Sequence, residues 1–210
     1  MKRHLFVLFI FILCCLAWIV VLKGGIKSSV NAEPEATPLP ILQTNQTPIL
    51  GAPEATVDQA KNWSKSRGAT DAFVSLADTY WEVGDLMGIR PDVLYAQASK
   101  ETNFGNFGGA ATTDMNNFAG IKKVNATGDT KADLETFPTP QEGVQAHFNH
   151  MAAYVGVTPL GLIDQRYYVV LSSSWAGSIK YVEELGGKWA PDSNYGMSIV
   201  NDYLDSMESM

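Results

Sequence analysis

Glu101 has the surroundings of a general acid. Apolar residues precede it at helical spacing, because Leu94, Ala98 and Glu101 stand at i, i+4 and i+7. The carboxyl group would therefore lie on the apolar face, near the C-terminal end of its helix. Partial burial and the negative end of the helix dipole both raise the pKa of a carboxyl group toward the range that proton donation requires. The alternative is an exposed glutamate that ends a helix.

Two histidines and a glycine-rich segment are the patterns that could hold a cofactor, and neither is complete. His147 and His150 are three residues apart on a predicted helix, yet no third ligand completes a metal-binding set. The segment 105–109 lacks the Gly-Lys-Ser/Thr sequence that follows a phosphate-binding loop. We expect both histidines to pack in the core, and we expect no metal or cofactor.

A mostly helical domain is predicted to position these residues. Apolar residues at i, i+3 and i+4 spacing predict a helix over 71–87, which Gly88 ends. Pro91 occupies a plausible first helical position, and a second helix is expected over 93–100. The two helices should pack against each other as a hairpin.

The chain beyond these helices predicts a small β lobe and then further helices. Clusters of Gly, Asn, Thr and Asp enclose β-prone pieces at 118–124 and 134–137, which predict a hairpin. Helical spacing of apolar residues resumes over 140–154, 179–185 and 197–207. The predicted fold class is α+β, mostly α, with a binding groove between the helices and the β lobe.

The N-terminal 23 residues have the pattern of a transmembrane signal-anchor. Basic residues precede an apolar run from 5 to 22, and these 18 residues can just span a bilayer as a helix. The basic flank predicts a cytoplasmic tip, so the rest of the chain is expected outside the cytoplasm. The alternative is a cleaved signal peptide, after which the domain would be secreted.

Composition defines the remaining parts of the chain. Residues 24–56 are rich in Pro, Thr, Gln, Asn and Ala, which predicts a disordered linker and leaves 57–210 as the folded domain. Cys14 and Cys15 both lie in the apolar run, so the domain can form no disulfide. The net charge of -7 argues against the basic surface of a nucleic-acid-binding protein, and we expect no nucleic acid partner.

Four segments in the expected order resemble the signature blocks of glycoside hydrolase family 73. They are 96–105 (AQASKETNFG), 116–122 (NNFAGIK), 137–147 (FPTPQEGVQAH) and 189–195 (WAPDSNY). The resemblance implies a lysozyme-like helical fold and an endo-β-N-acetylglucosaminidase. Such an enzyme cleaves the β-1,4 bond between N-acetylglucosamine and N-acetylmuramic acid in the glycan strands of peptidoglycan.

The resemblance also assigns catalytic roles. Glu101 falls on the general-acid position, where it would protonate the departing glycosidic oxygen. Tyr195 falls on the site tyrosine, which could orient the acetamido group of the sugar or steady the oxocarbenium-like transition state. Position alone, 34 residues after Glu101 on the predicted β lobe, suggests Glu135 as the second carboxylate, with Asp133 and Asp129 as competitors. The alternative for Glu135 is an exposed strand residue. A substrate-assisted route through the 2-acetamido group would need no second carboxylate.

The same blocks supply the predicted substrate-binding residues. A loop that bonds sugar hydroxyls and amides is expected, although a tight turn with asparagines bonded to their own backbone is an alternative. Aromatic side chains add candidate sugar contacts. The predicted binding residues are Asn116, Asn117, Gly120, Lys122, Phe104 and Trp189.

Two other functions fit the same sequence. A lytic transglycosylase or a muramidase would share the fold and act on the other glycosidic bond. A non-catalytic wall-binding scaffold would keep the groove and work through a partner, such as a membrane protein. The expected contacts of the chain are therefore peptidoglycan glycan strands and, through the N-terminal helix, the membrane.

Overall fold

The computed structural model describes residues 46–210, and the predicted anchor and most of the predicted linker lie outside this range. Within 46–210, none of the helices combines the length and the apolar character needed to cross a membrane. The described part of the chain is mostly helical. The helices are α1 (Val57–Ser66), α2 (Asp71–Met87), α3 (Pro91–Thr102), α4 (Pro140–Val155), α5 (Gln165–Leu171), α6 (Tyr195–Ile199) and α7 (Asp205–Glu208).

The central helix α3 is buried on nearly every side. Ten of its twelve residues are buried, including the polar Gln97 and Ser99. A helix surrounded in this way needs apolar residues on all faces, and any polar residue in it needs a partner within the protein. Pro91 opens the helix, and Asn103 ends it in a left-handed conformation with φ 48°. Glu101 therefore stands in the last turn of the most enclosed helix of the domain.

Local capping sets the bounds of the two longest helices. The Thr70 hydroxyl accepts a hydrogen bond from the Phe73 amide at the start of α2, and Gly88 ends that helix with φ 65°. Thr139 caps α4 in the same way, and Gly156 ends it. The predicted helices over 71–87 and 140–154 are confirmed, the second with one more residue.

The predicted β-hairpin lobe is reduced to a single antiparallel bridge between Lys122 and Leu134. Glu135 donates its amide to the Ile121 carbonyl at 2.9 Å, but no longer ladder forms in the described chain. The reason is that side chains bond the backbone of this region themselves. Next to the bridge, Oδ1 of Asn117 accepts from the Ile121 amide and Nδ2 donates to the Glu135 carbonyl, so these two backbone groups do not bond each other. Between the two predicted pieces, Asp133 holds a turn by accepting from the amides of Thr127, Gly128 and Thr130.

The predicted helix over 179–185 is also wrong in part. Only Val182–Leu185 is helical, as a 3-10 turn. The preceding residues pair with chain from the predicted linker, because the Ile49 amide donates to the Lys180 carbonyl at 3.0 Å and Thr47 accepts from the Val182 amide. The predicted helix over 197–207 is present, interrupted by a π-helical turn over Val200–Leu204 between α6 and α7.

Residues 46–56, which were predicted to be linker, pack as part of the folded domain. Ile49 is fully buried in the core, and it accepts a hydrogen bond from the Arg90 amide at 2.9 Å. Composition concealed this role, because Ile49 and Leu50 form only a short apolar pair among polar residues, small residues and prolines. The packed chain therefore begins before the predicted boundary at residue 57.

A buried arginine joins three distant parts of this domain. The Arg90 guanidinium, 1% exposed, contacts Asp92, Glu54 and Glu208, each at 2.7 Å. A guanidinium without such partners would be costly to bury, and its three carboxylates satisfy its planar set of donors. The segment 46–56, the start of α3 and the end of α7 are thereby held together.

Candidate active site

An open groove of about 1010 Å³ runs past the end of α3. Its walls come from the end of α3 and the following loop, the segment 119–122, one face of α4 and α5, and the segment 187–191. Its volume is at the upper end of the roughly 300–1,000 Å³ that ligand sites commonly enclose. Glu101 lies in its lining.

Glu101 is enclosed but still in contact with the groove. Burial raises the pKa of its carboxyl group, while the hydrogen bond from Tyr195 and the charge of Lys100 act in the opposite direction. A Cβ atom placed on Gly120 would lie 3.3 Å from Oε2 of Glu101, and Gly120 has a left-handed φ of 61°. Glycine is therefore suited to this position both by its conformation and by its closeness to the carboxyl group.

Tyr195 and Glu101 are 94 positions apart in the sequence and in direct contact in the fold. The Tyr195 hydroxyl donates to Oε1 of Glu101 and accepts from Nε2 of Gln97 at 3.0 Å. The side chain of Lys100 lies over the Tyr195 ring, 5.7 Å from its centre. The donor of the Tyr195 hydroxyl is thus used on the acid, and one of its two acceptor positions is used by Gln97.

The chain turns sharply directly after Glu101. Asn103, Phe104 and Gly105 all have left-handed φ values, and a Cβ atom at Gly105 would lie 2.6 Å from Cβ of Phe73. Left-handed conformations of non-glycine residues are uncommon and are held only by surrounding contacts. This turn ends the helix immediately beyond the carboxyl group and opens the groove there.

Phe104, predicted to contact substrate, lies in the core. It is 6% exposed, and its ring packs 5.1 Å from that of Trp63 and 5.8 Å from that of Tyr203. These contacts hold the left-handed turn in place. Phe107, three residues later, is the aromatic residue of this loop that lines the groove.

The two predicted sugar-binding asparagines hold the loop instead of facing the groove. Asn117 is 1% exposed, donates to the carbonyls of Ile121 and Glu135, and accepts from the Ile121 amide. Asn116 donates to the Phe137 carbonyl at 2.9 Å. Their amides are used for backbone contacts, which agrees with the tight-turn alternative.

Lys122 and Trp189 both line the groove. Lys122 is paired with Asp129 at 2.5 Å, and the Trp189 ring lies against His150 with centroids 5.0 Å apart. Lys122 thus adds a cation whose charge is balanced by Asp129, and Trp189 adds an aromatic surface. Aromatic surfaces of this kind can stack on sugar rings.

The carboxylates proposed as a second catalytic group occupy different surroundings. Glu135 does not line the groove within the described chain, and burial, followed by the nearby Asp164 carboxylate, raises its pKa. Hydrogen bonds from Thr130 lower the pKa of Asp133 to about 2 and commit it to the turn. Asp129 lines the groove but is paired with Lys122. None of the three contacts Glu101.

Both helical histidines pack in the core, as expected, but they also have polar surroundings that spacing did not reveal. His147 is fully buried, and Nε2 lies 3.1 Å from Oε1 of Gln97. His150 lines the groove, and its Nδ1 has no hydrogen-bond partner in the described chain. Burial lowers the pKa of each imidazole to about 3, so both are neutral. Residues 46–210 contain no group of three potential ligands that could hold a metal ion.

Arg166 is a groove residue that sequence reasoning missed. It lies near the start of α5, forms no salt bridge in the described chain, and contributes a positive charge to the lining. The helix α5 itself was not predicted, because seven residues are too few to show a helical period. A single arginine near the start of so short a helix also did not indicate a groove residue.

Comparison with known proteins supports the motif assignment. A family model described as Glucosaminidase, mannosyl-glycoprotein endo-β-N-acetylglucosaminidase, matches residues 77–206, which include all four motif segments. An uncharacterized protein of Borreliella burgdorferi is 30% identical over 136 residues, covering 64% of this chain and 63% of that protein. The match thus spans less than two thirds of that relative, and no solved structure matches this chain. The resemblance seen in the sequence is confirmed, and the chain belongs to the glucosaminidase family of glycoside hydrolases.

Proposed function

We propose that this protein cleaves the β-1,4 bond between N-acetylglucosamine and N-acetylmuramic acid in peptidoglycan, with Glu101 as the general acid. The observation that carries the proposal is the placement of Glu101. Its carboxyl group has a raised pKa, lines the groove and contacts Tyr195. A proton donor needs this combination of access and partial burial.

Proton transfer from Glu101 would begin bond cleavage. The protonated carboxyl group gives its proton to the departing glycosidic oxygen while positive charge develops on the sugar ring. The resulting carboxylate is stabilised by the Tyr195 hydroxyl and by the charge of Lys100, both of which favour its ionised form. Burial thus keeps the proton on Glu101 before the reaction. The contacts with Tyr195 and Lys100 reduce the cost of the carboxylate that proton transfer leaves behind.

The groove lining favours assistance by the substrate in the first step, while the glycosidic bond breaks. Water then attacks the anomeric carbon in the second step and gives its proton to the Glu101 carboxylate. Besides Glu101, the only carboxylate in the described lining is Asp129, and it is paired with Lys122. The 2-acetamido group of the sugar can attack the anomeric carbon and so replace a protein carboxylate. Glu135 is the alternative and would have to reach the groove from outside its present lining.

The charge of the groove supports an anionic glycan. Four cationic side chains line it, Lys100, Lys122, Arg166 and Lys188, whereas the chain as a whole has a net charge of -7. Muramic acid and its attached peptides carry carboxylates, while polymers of N-acetylglucosamine alone are neutral. A locally positive groove on an acidic protein would select the charged polymer.

We also propose that the apolar run 5–22 keeps the enzyme at the cell membrane.

Substitution of Glu101 tests this function. Glu101→Gln should reduce the digestion of purified peptidoglycan by about 10²- to 10⁴-fold, the usual contribution of a general acid, with an unchanged circular dichroism spectrum. Glu82→Gln, at an exposed position of α2, is the matched control and should retain activity. Wild-type digestion by Glu101→Gln would refute the proposal.

Product and substrate analysis separates the alternatives. The proposed enzyme leaves reducing N-acetylglucosamine ends and prefers peptidoglycan to chitin oligosaccharides. Reducing muramic acid ends would identify a muramidase, and anhydro-muramic ends would identify a lytic transglycosylase. A scaffold protein would show no digestion, and Glu101→Gln would leave its cellular role intact.

A further inference from the structure

A chain of buried hydrogen bonds connects Glu101 to the middle of the core. The Tyr195 hydroxyl contacts Oε1 of Glu101, and Nε2 of Gln97 lies 3.0 Å from that hydroxyl. Oε1 of Gln97 lies 3.1 Å from Nε2 of His147, and Nδ1 of His147 lies 3.1 Å from the Tyr80 hydroxyl. The five side chains come from α2, α3, α4 and α6.

The chemistry of these groups gives the chain one direction. An ionised Glu101 can only accept, so Tyr195 must donate to it and must accept in turn from the amide NH₂ of Gln97. This orientation leaves the Gln97 carbonyl oxygen facing His147, which must donate from Nε2. Since His147 is neutral, its Nδ1 is then an acceptor for the Tyr80 hydroxyl.

Bulk water cannot supply alternative hydrogen-bond partners for the three inner side chains of this hydrogen-bond chain. Tyr80, Gln97 and His147 are all fully buried. A buried polar group without a partner loses about 1–3 kcal/mol, so reversal of one member would leave its neighbours with mismatched donors or acceptors. The direction of the chain is therefore a property of the packed core.

We propose that Gln97, His147 and Tyr80 are positioning residues that hold the Tyr195 hydroxyl pointed at Oε1 of Glu101. Oε1 is then always an acceptor, and the proton that is transferred to substrate is carried by Oε2. Oε2 is the oxygen beside the glycine backbone of Gly120, at the groove. The inference rests on the proposed function, because only a general acid needs its proton on one particular oxygen.

The first test is a direct measurement of the His147 tautomer. In the full chain labelled with ¹⁵N at its imidazoles, His147 should show a protonated Nε2 and an unprotonated Nδ1 between pH 5 and 8. The signals can be assigned with His147→Gln and His150→Gln. A protonated Nδ1 in the neutral ring, or a doubly protonated ring, would overturn the proposed direction.

The second test compares substitutions along the chain. His147→Leu should lower kcat about tenfold with little change in KM, the effect expected when one charge-assisted hydrogen bond is lost. Loss of the donated bond should also raise the pKa of Glu101 and move the alkaline limb of the pH–rate profile upward. His147→Gln supplies a new NH₂ donor toward Gln97 and should restore most of kcat.

Tyr80→Phe has a matched control in the same core. It should change kcat and the profile in the same direction as His147→Leu but by less, because it acts at the far end of the chain. Tyr95→Phe removes another buried hydroxyl, which bonds Ser64 and lies outside the chain, and should leave both quantities unchanged. An unchanged alkaline limb in Tyr80→Phe and in folded His147→Leu would overturn the proposal.

Folding failure and failure of the proposed function give different results. If His147→Leu does not fold, Tyr80→Phe and the wild-type tautomer decide the question. If the wild-type protein does not cleave peptidoglycan, the proposed function fails and the catalytic role of these residues fails with it. The tautomer measurement then still reports whether the hydrogen-bond chain has the inferred direction.

Discussion

At the scale of single residues, opposing influences act on the Glu101 carboxyl group. Burial disfavours its charged form, whereas the Tyr195 hydroxyl and the Lys100 charge favour that form. Burial is the larger influence, so the carboxyl group holds its proton to higher pH than an exposed glutamate. At Glu135, burial and the like charge of Asp164 raise the pKa of the carboxyl group, and only the charge of Lys123 favours its ionised form.

Glu135→Gln should therefore retain activity within a few-fold of wild type. The reason is that Glu135 does not line the groove, while Glu101→Gln removes the proton donor itself. Initial rates on the same peptidoglycan preparation make the comparison. A loss as large as that of Glu101→Gln would instead identify Glu135 as the second catalytic group and exclude assistance by the substrate.

At the scale of elements, α4 fixes the loop that approaches Glu101. The first turn of α4 packs against that loop so closely that a Cβ atom on Gly143 would lie 1.8 Å from the Asn116 carbonyl oxygen. Asn116 also ties the loop to Phe137, just before α4. The position of Gly120 next to the acid thus depends on a helix that contributes no proton donor.

Gly143→Ala should destabilise the protein by about 1–3 kcal/mol, as overpacking does, although alanine favours helices by about 1 kcal/mol over glycine. Peptidoglycan digestion should fall further than the folded fraction, because the displaced loop carries Gly120. Urea unfolding and initial rates measure the two effects. Gln141→Ala, exposed in the same helical turn, is the control, and a more stable Gly143→Ala protein would contradict the predicted contact.

Features that depend on residues close together in the sequence could be predicted, and features that depend on tertiary contacts could not. The bounds of α2 follow from Thr70 and Gly88, which are adjacent to the helix, and the family blocks indicated Glu101 and Tyr195 together. Gln97 and His147 are 50 positions apart, and only tertiary packing brings them together. The predicted hairpin is present only as one bridge, because the Asn117 side chain bonds the backbone of Ile121 and Glu135 in place of the next ladder bond.

At the scale of the whole molecule, buried neutral histidines link stability to acidity. Burial lowers the pKa of His147 and His150 to about 3, whereas an unfolded histidine titrates near 6.5. Below about pH 6.5 the unfolded chain binds protons that the folded chain does not, so each histidine lowers stability as pH falls. Carboxyl groups with raised pKa values, including Glu101, act in the opposite direction.

A comparison of variants isolates the histidine contribution. Between about pH 6 and 4, His150→Gln should lose stability less steeply than wild type, by about 1.4 kcal/mol per pH unit. The carboxyl groups are common to both proteins and cancel in the difference. Urea unfolding at several pH values measures the slopes, and parallel slopes would show that His150 is not held neutral by the fold.

The inclusion of residues 46–56 in the domain changes how far a membrane-held enzyme can extend. These eleven residues would span at most about 40 Å if stretched, at roughly 3.5 Å each. Because Ile49 is hydrogen-bonded to Arg90 in the domain, these residues cannot lengthen the segment between the proposed anchor and the domain. With the proposed anchor in place, the enzyme reaches about this much less far from the membrane than the composition suggested. The shorter reach favours glycan strands nearest the membrane.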